Sequence, residues 1–78
     1  MTATEIARVQ AYLRSLLGSD RIRVIKPLRA GLSVEVAVDQ EVVGTLHRDD
    51  DEGEVSYSMH LTILEEDLPA AVAVPARR

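Results

Sequence analysis

The chain has 78 residues and a net charge of −4, with 46% hydrophobic and 28% charged residues. This composition predicts one small globular domain and excludes a disordered or fibrous chain. Cysteine is absent, which excludes a thiol nucleophile, a cysteine-ligated metal site and disulfide bonds. The overall acidity argues against general affinity for nucleic acid, which needs a basic surface.

The expected location of the protein is the cytoplasm. No apolar run approaches the roughly 20 residues that a membrane span needs. The first residues carry acids and an arginine, unlike a secretion signal. The lack of cysteine fits a reducing compartment. We therefore expect no membrane partner and no cofactor.

Residues 2–18 form the clearest predicted element, an amphipathic helix. Thr2 and Glu5 have the spacing of a capping box, with Thr4 as an alternative first cap, and Gly18 is typical of a helix end. The apolar residues fall on one stripe, which predicts that this side packs on the core: Ile6, Val9, Leu13, Leu16 and Leu17.

The next two predicted strands are short. Residues 21–26 alternate charged and β-branched residues before Pro27, which ends the strand or places it at an edge. Its cluster of Arg21, Arg23 and Lys26 is interpreted as charge that protects an edge, with an anionic partner as the alternative. Residues 34–38 alternate valine with Glu35 and Ala37, as a strand does.

Two longer strands follow. Asp39-Gln40 is the predicted turn into residues 41–48, where Gly44 indicates a bulge or a close neighbour. Residues 54–64 alternate most regularly, and the apolar side of this strand is predicted to face the core: Val55, Tyr57, Met59, Leu61 and Ile63.

These elements predict an α+β fold in which one N-terminal helix packs on a four-stranded antiparallel meander sheet. The predicted domain spans residues 1–68. Residues 69–78 are rich in proline and alanine and are expected to form a flexible tail.

Two segments carry a family resemblance: "AYLRSLLG" and "EVAVDQEVVGTLHRDDDEGEVSYSMHLTILEEDL". In this order they resemble short alphaproteobacterial proteins grouped as domain of unknown function family 3126, over roughly residues 3–68. The most specific stretches are Arg48–Tyr57 and Ile63–Leu68. The resemblance implies the fold and no activity. An apolar or aromatic residue is usual in that family where this chain has His47, which argues against a catalytic role for His47.

The acidic stretch after Arg48 is the strongest chemical candidate, because hard cations bind clustered carboxylates. Its spacing does not match an EF-hand loop, and Gly53 suits a turn at positive φ. The interpretation is a solvated hairpin turn; the alternative is a divalent-cation or small-ligand site using Asp49, Asp51, Glu52 and Glu54.

The two histidines are not expected to form a site within one copy. Pairing Arg48 with Val55 would put His47 and His60 four residues apart along the ladder, or roughly 13 Å, too far for one metal ion. Ser58 and His60 share a strand face, but no acid orients them and the strand is regular, so we predict no enzyme and no catalytic residue.

The predicted function is a non-enzymatic protein-interaction domain that forms a homodimer. One helix cannot cover both faces of a four-stranded sheet, so the second face or an edge strand is expected to associate. By strand alternation, Val43 and Ile25 are expected on the side opposite Val42, Leu46, Ile22 and Val24. The predicted interface residues are Ile25, Val43, Thr45, His47 and His60.

Overall fold

The computed structural model describes residues 1–51 and 53–70 as one helix followed by an open antiparallel sheet. The strands lie in chain order across the sheet. The predicted α+β fold, one N-terminal helix and a four-stranded antiparallel meander, is confirmed. Residues 71–78 of the expected tail lie outside the described part of the chain. The elements are α1 (Ala3–Leu17), β1 (Ile22–Ile25), β2 (Val34–Val38), β3 (Glu41–Asp49), β4 (Ser56–Leu61) and a 3₁₀ turn (Glu65–Asp67).

Both predicted ends of α1 are confirmed. The Thr2 N–H donates to Glu5 Oε1 over 2.8 Å, and the Glu5 N–H donates to Thr2 Oγ1 over 3.1 Å. This reciprocal capping box satisfies two backbone donors that the first helical turn leaves open. At the other end Gly18 has φ 67°, the left-handed conformation that stops a helix.

The core is a single layer between α1 and the sheet. Valine, leucine and isoleucine make up this layer, because the chain has no Phe or Trp. Its buried members come from the helix and from the side of β1, β2 and β3 that faces it: Ile6, Leu13, Ile22, Val24, Val34, Val36 and Leu46.

The helix lies nearest to β1, at one side of the sheet. Leu16 and Leu17 are 60% and 55% exposed, so the prediction that the whole apolar stripe packs on the core is wrong for these two. A helix next to the narrow, four-residue β1 buries only Ile6 and Leu13 fully among its apolar residues.

The predicted bulge in β3 is confirmed. Val36 pairs with Gly44 but Ala37 pairs with Val42, so Val43 is an extra residue in β3. An extra residue inverts the alternation on one side of the bulge. Val43 therefore packs against the core cluster, while Val42 is 50% exposed. The expectation that Val43 lies opposite the core side is wrong for this reason.

The apolar side of β4 extends beyond the cover that α1 provides. Tyr57 packs against the core cluster, as predicted. The prediction that the whole apolar side is core is wrong, because α1 packs nearest to β1, at the opposite edge of the sheet. The other four apolar residues that the sequence predicts for this side of the strand are 39–68% exposed: Val55, Met59, Leu61 and Ile63.

Candidate interaction surface

The acidic turn between β3 and β4 is an exposed hairpin tip. Gly53 has φ 83°, as its place in the turn predicts. The Asp51 N–H donates to Asp49 Oδ1 over 2.9 Å, and Asp50 pairs with Arg48 over 2.9 Å. Asp49, Asp51 and Glu54 border one open recess. Within residues 1–51 and 53–70, no three His, Asp or Glu side chains are grouped so as to hold a metal ion; Glu52 lies outside them.

The histidines lie closer together than the sequence suggests. His47 pairs with Ser58 and His60 pairs with Thr45, because Arg48 pairs with Tyr57 and not with Val55. The turn is thus longer than predicted, and the expected spacing of four residues is wrong. His47 and His60 are therefore diagonal neighbours on adjacent strands, and residues in that relation are about 7–8 Å apart. Both histidines are exposed on the same face of the sheet.

The sheet face that points away from α1 carries four of the five predicted interface residues. One row across the strands runs Ile25, Glu35, Thr45 and His60. His47 lies on the same face beside Ser58, whereas Val43 does not. The row mixes one aliphatic side chain with polar and ionisable ones. This face is therefore suited to solvent more than to an apolar interface.

An uncovered apolar surface lies instead on the helix side, between α1 and β4. We call it the β4 groove. It is open, with a volume of about 360 Å³, and its mostly apolar wall includes two charged residues, Glu5 and Arg8. The apolar pattern of the sequence predicts most of these residues to be core and gives no signal for a groove. Its lining residues are Glu5, Arg8, Val9, Tyr12, Leu13, Leu46, Tyr57 and Met59.

Glu5 fixes one end of the groove by joining the helix to both long strands. Its Oε2 atom accepts from Arg48 Nε over 2.7 Å and from the Tyr57 hydroxyl over 3.0 Å. The Thr2 N–H, together with Tyr57 and Arg48, lowers the pKa of Glu5 from 4.5 to about 2. The carboxylate pairing also raises the pKa of Arg48. Glu5 is therefore ionised at neutral pH and holds the first turn of α1 against β3 and β4.

The outer edge of β4 borders this groove. The Thr62 N–H donates to the Val43 carbonyl over 3.1 Å, so the backbone groups of Thr62 point toward β3. This direction alternates along an antiparallel strand. The N–H and C=O groups of Tyr57, Met59 and Leu61 therefore point away from the sheet. Ser56–Leu61 contains no Asp, Glu, Lys or Arg, the charges that commonly protect an edge strand.

The opposite edge, β1, is closed by side chains of the helix. Gln10 Oε1 accepts the Val24 N–H over 3.0 Å, and Arg14 Nε donates to the Ile22 carbonyl over 2.7 Å. These two groups are among those that β1 directs away from β2. The neighbouring basic residues are engaged as well. Arg21 pairs with Asp39 and lowers the pKa of its carboxyl group.

Comparisons with known proteins give a family and no activity. No curated protein matches the chain, and no solved structure matches it. Among the residues that the structure describes, no helix has the length and apolarity to cross a membrane. The family model described as "Protein of unknown function (DUF3126)" matches residues 5–67, which include all four strands and most of α1. The chain belongs to this DUF3126 family of proteins of unknown function.

Proposed function

We propose that the protein is a non-enzymatic interaction domain that forms a homodimer through the outer edge of β4 and the β4 groove. The single observation that carries the proposal is the uncharged outer edge of β4 beside an uncovered apolar groove. We also propose that this is a cytoplasmic protein of alphaproteobacteria, which the absence of cysteine supports for the compartment.

The small core supports an association of this kind. Eight hydrophobic residues are buried in the part of the chain that the structure describes, and several large apolar residues on the β4 side stay exposed. Met59 is 39% exposed and Leu61 is 51% exposed. Covering such side chains contributes about 25 cal/mol for each Å² of apolar surface removed from water. A second copy that covers this side therefore adds stability that the isolated chain lacks.

The arrangement of hydroxyl and imidazole groups supports a non-enzymatic role. His47 lies beside Ser58 on an exposed face, and both residues belong to regular strands. A serine nucleophile is normally held on a strained turn beside an oriented base. Here Glu35 is separated from His60 by the intervening Thr45, so it does not orient that imidazole.

Light scattering at micromolar concentration tests the homodimer. The expected mass of the wild-type protein is twice 8.6 kDa. Met59→Lys places a charge at the edge of β4 and is expected to give the mass of one chain. Leu28→Lys is the matched control, because Leu28 is 97% exposed in the loop after β1. The control should keep the doubled mass; a wild-type protein that stays monomeric would refute the homodimer.

The cation-binding alternative has a separate test. If the acidic turn binds a cation, calorimetric titration with Ca²⁺ or with Mg²⁺ shows heat of binding, and this heat is lost in Asp51→Asn. No contact among the described residues favours this alternative over the homodimer. We expect no heat and no change in melting temperature with either ion.

A further inference from the structure

We propose that two copies pair along β4 in antiparallel orientation, with the two-fold axis at Met59, and so join two four-stranded sheets into one of eight strands. This inference rests on the proposed homodimer and specifies its geometry. It names the second copy as the occupant of the β4 edge and fixes which residues lie opposite one another.

The backbone selects this register. Tyr57, Met59 and Leu61 direct their N–H and C=O groups away from β3, as the Thr62 hydrogen bond to Val43 shows. With Met59 opposite Met59 of the second copy, Tyr57 lies opposite Leu61 and each of the three outward residues gains a partner. Axes at Ser58 or His60 leave an outward residue of β4 opposite a residue beyond the strand ends.

The side chains agree with the same register. On the helix side, Tyr57 meets Leu61 of the second copy, and the two Met59 side chains meet at the axis. Aromatic–aliphatic pairs of this kind stabilise neighbouring strands. On the other side, Ser58 meets His60 of the second copy. No charged residue of Ser56–Leu61 is brought opposite a like charge, because the strand has none.

The difference between the two edges explains why pairing ends at two copies. Gln10 and Arg14 each bind one outward backbone group of β1, and the helix lies beside that strand, so among the described residues β4 is the less protected edge. Symmetric pairing through one edge is isologous and closed, whereas two free edges would let the sheet grow into a fibre.

The pairing also has an electrostatic consequence. The acidic tip that includes Asp51 lies toward the 3₁₀ turn Glu65–Asp67 of the second copy, since antiparallel strands bring opposite ends together. These like charges repel, and salt screens exposed charges. We therefore expect added salt to tighten the dimer on the order of two- to threefold, the range expected for weak exposed pairs.

Disulfide cross-linking of single-cysteine variants tests the register directly. The native chain has no cysteine, so each variant can form only one cross-link. Three variants are compared under mild oxidation: Met59→Cys, Ser58→Cys and His60→Cys. Opposite residues of a hydrogen-bonded pair have Cα atoms about 5.5 Å apart, and those offset by two are about 7–8 Å apart. A disulfide does not bridge Cα separations above about 7 Å without backbone movement. We therefore expect Met59→Cys to cross-link at least about tenfold faster than Ser58→Cys or His60→Cys.

Each result has a defined meaning. Fastest cross-linking of Met59→Cys in a protein that is dimeric by light scattering supports the inference. Fastest cross-linking of either neighbour shows another register and overturns it. Slow cross-linking of all three variants in a dimeric protein overturns the inference but keeps the proposed homodimer. A monomeric wild-type protein removes both. Circular dichroism of the reduced variants checks that each is folded.

Discussion

The two edges of the sheet are treated differently in this protein. β1 is four residues long, lies beside the helix, and has two of its outward backbone groups bound by Gln10 and Arg14. β4 is six residues long and contains no Asp, Glu, Lys or Arg, and no helix of residues 1–51 and 53–70 covers its whole apolar side. An edge strand with unpaired backbone groups can pair with another chain unless charges, a bulge or a covering element protect it. This difference is the reason why we propose the β4 edge, and not the β1 edge, as the site of pairing.

The largest expected effect is a loss of stability on substitution of Gly44, where the backbone of β4 comes closest to β3. A Cβ atom at Gly44 would meet the His60 carbonyl group and lie 3.1 Å from the Leu61 Cα atom. Because these are backbone atoms, Gly44→Ala should lower the free energy of unfolding by about 3 kcal/mol or more, measured by urea denaturation. In the control Gly18→Ala the space is open and only a positive φ opposes the side chain, so the expected loss is about 1 kcal/mol. Equal losses would contradict the close approach.

The second prediction compares two leucines, one on each side of the boundary between core and groove. Leu46 is 3% exposed and Leu61 is 51% exposed. Leu46→Ala should cost about 2.5 kcal/mol, near the low end for buried leucine because the open groove lets the site rearrange. Leu61→Ala should cost less than about 0.5 kcal/mol in a monomeric background such as Met59→Lys. A large loss for Leu61 there would mean that α1 covers β4 after all.

The third prediction opens the protected edge. The double variant Gln10→Ala, Arg14→Ala frees the outward groups of Val24 and Ile22, with an expected loss of about 1 kcal/mol for each hydrogen bond. With two free edges, assemblies larger than the dimer are expected in sedimentation velocity. Ser15→Ala, on the exposed side of the same helix, is the control. A double variant that remains strictly dimeric would show that Gln10 and Arg14 do not limit assembly.

The smallest effect expected is a dependence on pH. Glu5 has a pKa of about 2 in the folded protein against an ordinary value of 4.5. The unfolded chain therefore takes up the proton first, so the stabilisation by Glu5 is complete above pH 4.5 and is lost as the pH falls toward 2. Glu5→Gln should lose less stability than the wild type between pH 5 and pH 2.5. Glu54→Gln, at the exposed turn, is the control and should follow the wild-type curve, and urea midpoints at each pH give the comparison.

Much of the fold could be predicted because it depends on local signals. The capping box of Thr2 and Glu5 and the glycine after Leu17 mark the ends of the helix. Alternation in residues 34–38 and the Asp39-Gln40 turn give the centre of the sheet, and Asp39 indeed adopts φ 56°. These features involve residues within a few positions of one another, so they can be recognised from short stretches of the sequence.

The candidate surface could not be predicted in the same way. The bulge at Gly44 was expected, but its effect on Val42 and Val43 depends on which residue of β3 is left unpaired. The apolar residues of β4 were expected in the core, since alternation shows that a side is apolar and not whether another element reaches it. The groove exists because α1 lies beside β1, a position that residues distant along the chain decide together.

The sequence by itself determined the helix, the four strands, their antiparallel order and the absence of thiol chemistry, because periodicity, turn residues and composition act over short distances along the chain. Only the tertiary structure decided which edge is closed and which apolar side remains uncovered. The protection of the β1 edge depends on the hydrogen bonds of Gln10 with Val24 and of Arg14 with Ile22. The attachment of the helix beside the groove depends on the hydrogen bonds of Glu5 with Arg48 and Tyr57. Such contacts follow from where the helix packs, and no pattern of neighbouring residues records that position.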